Sequence, residues 1–430
     1  MKGQIFTFVL TYGGAAAALV SPFHGLLVYI AFAIIKPEAM WFWSVEPGHY
    51  SRIVALALLV GWALHGFGNW SLGRARLVVG ALVGLLAWAA LGAMHAPDEE
   101  LAWGFVEALA KIVLPVVVGI TTIDSVAKLK QLAWVIVLSQ GFVAYELNFT
   151  YYLGYSRVQD IGFAGLDNNS VAIAMVSCVG LAFFLGLHAP GWWCKAIALT
   201  AAALLAHAVL ITFSRGGMLA LVAVGLVSFL LVPKRPRHTV ALIIALVIVF
   251  RLAGPEVRSR FLSSFDADQR DRAAQTRIEL WVACWDTMLK RPALGVGPDH
   301  WPRVAQEYGW PAGKEAHSLW LQTGAELGFP GLLFLAGYYG LCVAFLWPLT
   351  RARRTVPDPW LRHLARMVIP SLVGFAVAAQ FVSLEALEVP YYIALLGAGV
   401  LKVQTLIGKE FAFEAYDPEL LRRPADLLPA

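Results

Sequence analysis

Charge is the scarcest property of this sequence. Only 14% of its 430 residues are Asp, Glu, Lys or Arg, whereas 59% are hydrophobic, and soluble domains carry about 25% charged residues. Many uncharged stretches approach the roughly 20 residues that a helix needs to cross a membrane. The composition therefore excludes a soluble globular domain and predicts an all-α polytopic membrane protein.

Cysteine is also scarce, and its positions exclude two kinds of site. The four cysteines are Cys178, Cys194, Cys284 and Cys342, and none belongs to a CxxC pair. Only Cys284 lies in a long polar segment, where no second cysteine accompanies it. The sequence predicts neither a disulfide framework nor a cysteine metal site, and it contains no carboxylate cluster suited to Mg²⁺.

The basic residues that are present cluster in short loops between apolar runs. The clusters are Arg74 with Arg76, Lys128 with Lys130, residues 234–237 and residues 351–354. Such clusters mark cytoplasmic loops. This placement argues against a nucleic-acid partner despite the net charge of +5, and it predicts membrane lipids as the surroundings and a cytoplasmic C-terminus.

Apolar runs predict 12 or 13 transmembrane helices. They lie near residues 5–20, 24–36, 52–68, 77–94, 104–122, 129–149, 168–188, 194–213, 217–233, 238–253, 331–349, 365–384 and 389–405. The first two runs are short and are separated by Ser21 and Pro22. They form either a tight hairpin or one broken element.

The spans divide the chain into three predicted regions. Transmembrane helices occupy residues 1–253, one large outer loop occupies 254–330, and further transmembrane helices with a cytoplasmic tail occupy 331–430. Within the loop, TRIELWVACWDTMLKR predicts an amphipathic helix. Its apolar stripe consists of Ile278, Trp281, Val282, Trp285 and Leu289.

The segment ITFSRGGMLA places Arg215 where two spans meet at the outer side. An arginine near a membrane either snorkels, pairs or binds an anion, and its position alone leaves these alternatives open. Ser214 is expected to cap the following helix, and Gly216 and Gly217 leave its first turn without side chains. A helix N-terminus beside a guanidinium favours phosphate binding.

Two residues of the outer loop are further candidates. Arg277 and Trp281 are four apart and share a helix face, although a solvated surface arginine is the plainer account of Arg277 alone. His317 begins the apolar part of KEAHSLWLQTGAELGFPG. A histidine at a helix start is more often structural, but an imidazole with a pKa near neutrality accepts a proton from a hydroxyl at pH 7.

These three elements, in this order, resemble the O-antigen ligase family. That superfamily of bacterial integral-membrane glycosyltransferases includes O-antigen polymerases and protein O-oligosaccharyltransferases. The resemblance covers roughly residues 150–345 and is strongest in TRIELW, RPALGVGPDHW and AHSLWLQTGAELGFPG. It implies a GT-C-like protein of the bacterial inner membrane, whose large loop is periplasmic and which takes its glycan from undecaprenyl diphosphate. No metal, nucleotide or other cofactor is implied.

The resemblance also implies residue roles. Arg215 and Arg277 would hold the diphosphate, and His317 would be the general base. The segment SRVQDIGFAGLDNN resembles a further family segment and adds Arg157 and Asn169 as substrate-binding residues. The predicted substrate-binding set also contains Ser214, Trp281 and Lys111. For Lys111 the plainer account is a buried helix ion pair with Glu107.

One base suffices for a direct displacement, so inversion at the anomeric carbon is predicted. The predicted acceptor is a lipid A–core sugar hydroxyl, and the alternatives within the superfamily are a polymerase and a protein O-oligosaccharyltransferase. From other classes, a polysaccharide or lipid transporter and a non-catalytic membrane scaffold are the alternatives. The sequence shows no repeat of comparable halves, which disfavours a transporter built on inverted repeats.

Other polar residues rank lower as candidates for the site. His207 reads as a packed histidine within a span, and His300 is a weak alternative base. Glu385 and Glu388 lie at a short outer turn, where they either orient a cation or the histidine or are solvated carboxylates, which is the more common case. The aromatic stretch at residues 40–47, MWFWSVEP, reads as an interfacial belt.

Overall fold

The computed structural model describes residues 2–232, 272–351, 356–384 and 387–414, with eight further residues between 235 and 247. Within these residues the regular secondary structure is helical, which confirms the predicted all-α class. Most of the predicted span at 238–253, the loop before Arg272, the cytoplasmic tail after Glu414 and the turn residue Glu385 lie outside the described part.

The longer helices are numbered here in chain order. They are α1 Lys2–Val20, α2 Pro22–Ile35, α3 Tyr50–Leu64, α4 Ala75–Ala93, α5 Glu99–Thr122, α6 Val126–Tyr152, α7 Asn168–His188, α8 Trp192–Ile211, α9 Arg215–Leu231, α10 Arg272–Lys290, α11 Leu319–Leu346, α12 Pro359–Ala378 and α13 Glu388–Glu414. Short helical turns at Pro37–Met40, Arg157–Asp160, Trp301–Val304, Ala305–Tyr308 and Trp347–Thr350 lie between them.

Ten helices of the described residues are long and apolar enough to cross a membrane. Two shorter apolar helices, α3 and α9, coincide with the predicted spans at 52–68 and 217–233. The predicted multi-pass membrane protein is therefore confirmed. The boundary between α1 and α2 falls at Ser21, where the backbone is extended, so the first two runs form two helices joined by a sharp turn.

Helix α7 lies at the centre of the bundle, because nearly all of its residues are buried. It packs against α8 on one side and α12 on another. The approach to α12 is close: a Cβ added at Gly180 would lie 2.9 Å from Cγ of Pro370. Neighbouring helices fix the side chains of a helix enclosed in this way. The first residues of α7, 168–170, are therefore held in place at one end of the bundle.

A buried lysine joins two helices at the other end. Lys402 of α13 is fully buried, and its ammonium donates to the carbonyl oxygens of Asn69 at 2.7 Å, Ile120 at 2.6 Å and Thr121 at 3.2 Å. The last two belong to the final turn of α5, whose carbonyls have no partner within the helix. Three acceptors offset the burial of the charge and tie α13 to α5.

Helix α11 begins earlier than the predicted span at 331–349. Ser318 caps it by accepting a hydrogen bond from the backbone N–H of Leu321 at 3.4 Å, and the helix breaks at Gly328, where φ is 69° and ψ is −172°. A side chain at Gly328 would collide with the carbonyl of Ala293, so glycine is required there. Residues 319–327, which were predicted as loop, therefore form a short buried helix ahead of the span.

The described part of the large loop has a small core of its own. Helix α10 packs against α11, and the buried side chains between them are Leu280, Ala283, Cys284, Trp301, Ala305, Ala316 and Ala325. The amphipathic helix is thus confirmed, but its predicted stripe is divided. Trp281 turns inward, because its indole N–H donates to the carbonyl of Ala316 at 3.2 Å, while the other four residues are exposed.

Candidate active site

Several helix ends meet at one end of the bundle, which we define as the site end, where α9 and α11 begin. The segment after α12 holds the start of α11: the N–H of Ser318 donates to Oγ of Ser383 at 3.2 Å, and the N–H of Leu319 donates to the carbonyl of Ala379 at 2.9 Å. His317 therefore lies where the large loop enters the bundle.

The backbone of His317 is strained. Its φ is +52°, in the left-handed region that residues other than glycine rarely adopt and that costs about 1–2 kcal/mol. Hydrogen bonds fix the peptides on both sides: the N–H of Ala316 donates to Oε1 of Gln322 at 3.1 Å, and the N–H of Ser318 is bound by Ser383. The backbone position from which the imidazole projects is therefore set by the surrounding structure.

The imidazole of His317 is half-buried, and burial lowers its pKa below the ordinary value of 6.5. The positive charges of Arg277 and Lys314 lower this pKa further, whereas Asp167 raises it. The structure thus brings Arg277 and Asp167 within electrostatic reach of His317. The imidazole is mainly neutral at pH 7, which is the form that accepts a proton.

Arg215 is the first residue of α9 and is half-buried. The predicted cap forms, since Oγ of Ser214 accepts a hydrogen bond from the N–H of Gly217 at 3.2 Å. Gly216 has a packing role: a Cβ there would lie 2.8 Å from Cβ of Phe381. The ring of Phe381 is in turn 6.2 Å from that of Trp281, so packed side chains connect the start of α9 to the helix that carries Arg277.

The segment before α7 adds an acid to the site end. Asp167 caps α7 through the N–H of Ser170 at 2.8 Å. Partial burial raises the pKa of Asp167, but hydrogen bonds from Ser170 and Asn169 outweigh this and lower it. Asn169 donates to Asp167 and to the side-chain oxygen of Asn168, both at 3.3 Å, and Asn168 donates to the carbonyl of Thr212 at 3.0 Å. Asn169 therefore helps to orient the carboxylate whose charge acts on His317.

Arg157 is buried at the opposite end of that segment. Its guanidinium donates to the carbonyls of Ala39 and Met40 and lies 5.5 Å from the ring centroid of Phe163 and 5.6 Å from that of Phe42. These contacts fasten residues 157–163 to the turn after α2. They are structural contacts, and the substrate-binding role of Arg157 stays a prediction.

Lys111 forms the predicted ion pair with Glu107, at 2.7 Å. The prediction that the pair is buried is wrong, because both side chains are mostly exposed on the outer face of α5. Residues four apart on a helix meet on one face, and this face points away from the bundle. A role of Lys111 at the donor stays a prediction.

The two other histidines considered have structural surroundings. His300 is buried; its Nδ1 lies 2.7 Å from the carbonyl oxygen of Pro298, and its Nε2 accepts the N–H of Asp98 at 3.1 Å. This pattern puts the proton on Nδ1 and occupies both nitrogens. His207 is buried beside the side-chain oxygen of Asn148, as expected for a packed histidine.

Glu326 organises the site end and is missed by the sequence analysis. It is fully buried; Oε1 accepts the N–H of Trp301 and an amide N–H of Gln322, and Oε2 accepts the N–H of Asp299, all at 3.2 Å. Gln322 in turn holds Ala316, next to His317. The sequence did contain a signal for this residue. Gln322 and Glu326 are four apart in an apolar stretch, so they share a helix face and need polar partners when they are buried.

Within the ranges that the structure describes, no group of three or more His, Cys, Asp or Glu side chains is placed to hold a metal ion. The metal-independent reaction stays a prediction.

The fold and the site define a multi-pass membrane protein with a histidine and arginines gathered at one end of its bundle. Residues 200–336 match the model of the O-antigen ligase family, and this range contains Arg215, Arg277 and His317. This match supports the resemblance to the O-antigen ligase family that the motifs predicted, over this part of the chain. Residues 3–154 match a family of unknown function, DUF5935. The comparison with curated proteins gives no match.

Replacing Glu326 tests its structural role. Glu326→Ala is expected to lower the thermal unfolding temperature of the detergent-solubilised protein, because a buried donor left without its acceptor costs about 1–3 kcal/mol and three donors are affected. Glu326→Gln keeps one acceptor oxygen and should lose less. Glu107→Gln, at an exposed carboxylate, is the control and should change little. An unfolding temperature that Glu326→Ala leaves unchanged would contradict the role.

Proposed function

We propose that this protein is an inverting, metal-independent glycosyltransferase. It moves a polysaccharide of the O-antigen type from undecaprenyl diphosphate to a lipid A–core sugar hydroxyl, at the periplasmic face of the bacterial inner membrane. The observation that carries the proposal is the placement of His317: its half-buried imidazole lies within electrostatic reach of Arg277, just before a broken helix and within the family match.

The reaction needs one proton acceptor. The acceptor hydroxyl gives its proton to His317 as its oxygen attacks the anomeric carbon of the donor. The bond between that carbon and the diphosphate oxygen breaks, and its electron pair leaves with the diphosphate. Because attack and departure occur on opposite sides of the carbon in one step, the configuration inverts.

The leaving group needs positive charge. Arg277 and Arg215 supply guanidiniums, which bind phosphate oxygens through paired hydrogen bonds. The first turn of α9 adds the positive end of a helix dipole. Such fixed charges stabilise the transition state without reorganising. On the family resemblance, the further substrate contacts proposed are Arg157, Asn169, Trp281, Ser214 and Lys111.

Removal of the base is the first test of this proposal. His317→Ala is expected to lower glycan transfer in a reconstituted assay by about 10²–10⁴-fold, the usual contribution of a general base. The variant must insert and elute like the wild-type protein. His24→Ala, at an exposed histidine on another helix, serves as the control. Full transfer by His317→Ala would refute the assignment of the base.

The pH dependence tests the contact between Arg277 and His317. The wild-type pKa of His317 is lowered, so kcat/KM should fall only as the pH drops below 6.5. Arg277→Gln removes a positive charge and should raise this pKa, which moves the acid limb to higher pH.

Arg277→Lys separates the two roles of that arginine. This variant keeps the positive charge. The acid limb of its kcat/KM profile should therefore stay near the wild-type pH, even if donor binding weakens. If the acid limb of the kcat/KM profile is at the same pH in Arg277→Gln as in the wild-type protein, then His317 is not the group that titrates there.

Deletion of the gene tests the acceptor. Polymer linked to undecaprenyl diphosphate should accumulate, and lipid A–core should lack it, as measured by gel electrophoresis and mass spectrometry of the extracted lipids. Single repeats on lipid A–core would indicate a polymerase instead. Unglycosylated protein with an intact envelope glycan would indicate a protein transferase.

A further inference from the structure

Helix α10 carries an exposed apolar stripe that the loop core leaves uncovered. Ile278, Val282, Trp285 and Leu289 are 43%, 63%, 47% and 55% exposed. They follow one another at intervals of four, three and four residues, which places them on one face of a helix that turns about 100° per residue. Soluble surfaces rarely expose an apolar patch of this kind without a binding partner.

The other two faces of α10 are accounted for. One face, with Leu280, Cys284 and Met288, is buried against the loop core and α11. The other is polar and exposed: Glu279 accepts a hydrogen bond from Gln275 at 3.0 Å, and Asp286 pairs with Lys290 at 2.6 Å. One face of α10 therefore packs on protein and a second faces water, whereas the third, apolar face is left uncovered by the described residues.

The apolar face is continuous with the outer surface of a membrane span. The ring of Trp285 meets that of Phe329 edge-on, with ring centroids 6.0 Å apart. Phe329 lies at the break of α11, and Leu333, one turn further into the span, is 69% exposed. A residue so exposed on an apolar spanning helix contacts lipid, and the stripe extends this lipid-facing surface onto α10.

We infer that α10 lies in the membrane interface, with this stripe in contact with the acyl chains of the adjoining leaflet. Tryptophan is typical of that depth, and a helix with separate apolar and charged faces lies in the plane of the interface. The charged pair of Asp286 and Lys290 then faces the headgroups and water. The lipid contact fixes the height of Trp281 and Arg277 above the membrane, and it does not depend on the proposed transfer reaction.

Spin labels measure this placement directly. Single cysteines are introduced by Val282→Cys and Leu289→Cys on the stripe, Glu279→Cys on the polar face and Leu333→Cys on the span, in a Cys194→Ser background. The other native cysteines are buried. The labelled proteins are placed in nanodiscs of phosphatidylcholine and phosphatidylglycerol, and the collision rates with oxygen and with a water-soluble nickel chelate are compared.

The stripe labels should collide severalfold more with oxygen, relative to the nickel chelate, than the label at residue 279, and they should approach the ratio at residue 333. Stripe labels as accessible to nickel as residue 279 would overturn the inference, because the face would lie in water. Stripe labels shielded from both reagents, while residue 333 reports lipid, would also overturn it, because protein would then cover the face. Residues 282 and 289 report independently, so misfolding of one variant leaves the test intact.

Discussion

The carboxylate of Glu326 holds the large loop to the bundle. It accepts N–H groups from the turn at residues 299–301 and, through Gln322, controls the peptide that precedes His317. A buried carboxylate is tolerated only where its oxygens are occupied, so the turn, the short helix 319–327 and His317 take their positions together. The helix break at Gly328 belongs to the same arrangement, because next to it the backbone N–H of Phe329 donates a hydrogen bond to the carbonyl oxygen of Pro292 at 2.9 Å.

Backbone strain is concentrated around this arrangement. Six described residues other than glycine have positive φ, and four of them are Ala164, Phe213, Asp299 and His317. Each stands within a few residues of Asp167, Arg215, Glu326's turn or the histidine itself. Strained residues persist where the surrounding contacts over-determine them, and they collect at functional sites. The same end of the bundle thus bears the strain and the buried polar network.

Hydropathy predicted the helices because long apolar runs have few alternatives to spanning a membrane. It placed the start of α11 too late, since Gln322 and Glu326 make residues 319–330 look like loop although the large loop and the bundle bury them. It also placed Trp281 on one apolar stripe with the four exposed residues, because an apolar pattern does not distinguish a face that packs on protein from one that meets lipid. Sequence motifs identified Arg215, Arg277 and His317 as candidates. That these residues lie at the same end of the bundle could be seen only in the fold.

In the proposed reaction, Arg277 couples the donor to the base. In the resting protein its charge lowers the pKa of His317, which keeps the imidazole neutral but also makes it a weaker base. A bound diphosphate brings negative charge to the same guanidinium and offsets its effect on the imidazole, because opposite charges at close range favour protonation. The base is therefore strongest when the donor is in place, and Asp167 acts in the same direction. The arginine that is proposed to hold the leaving group would thus also set the basicity of His317.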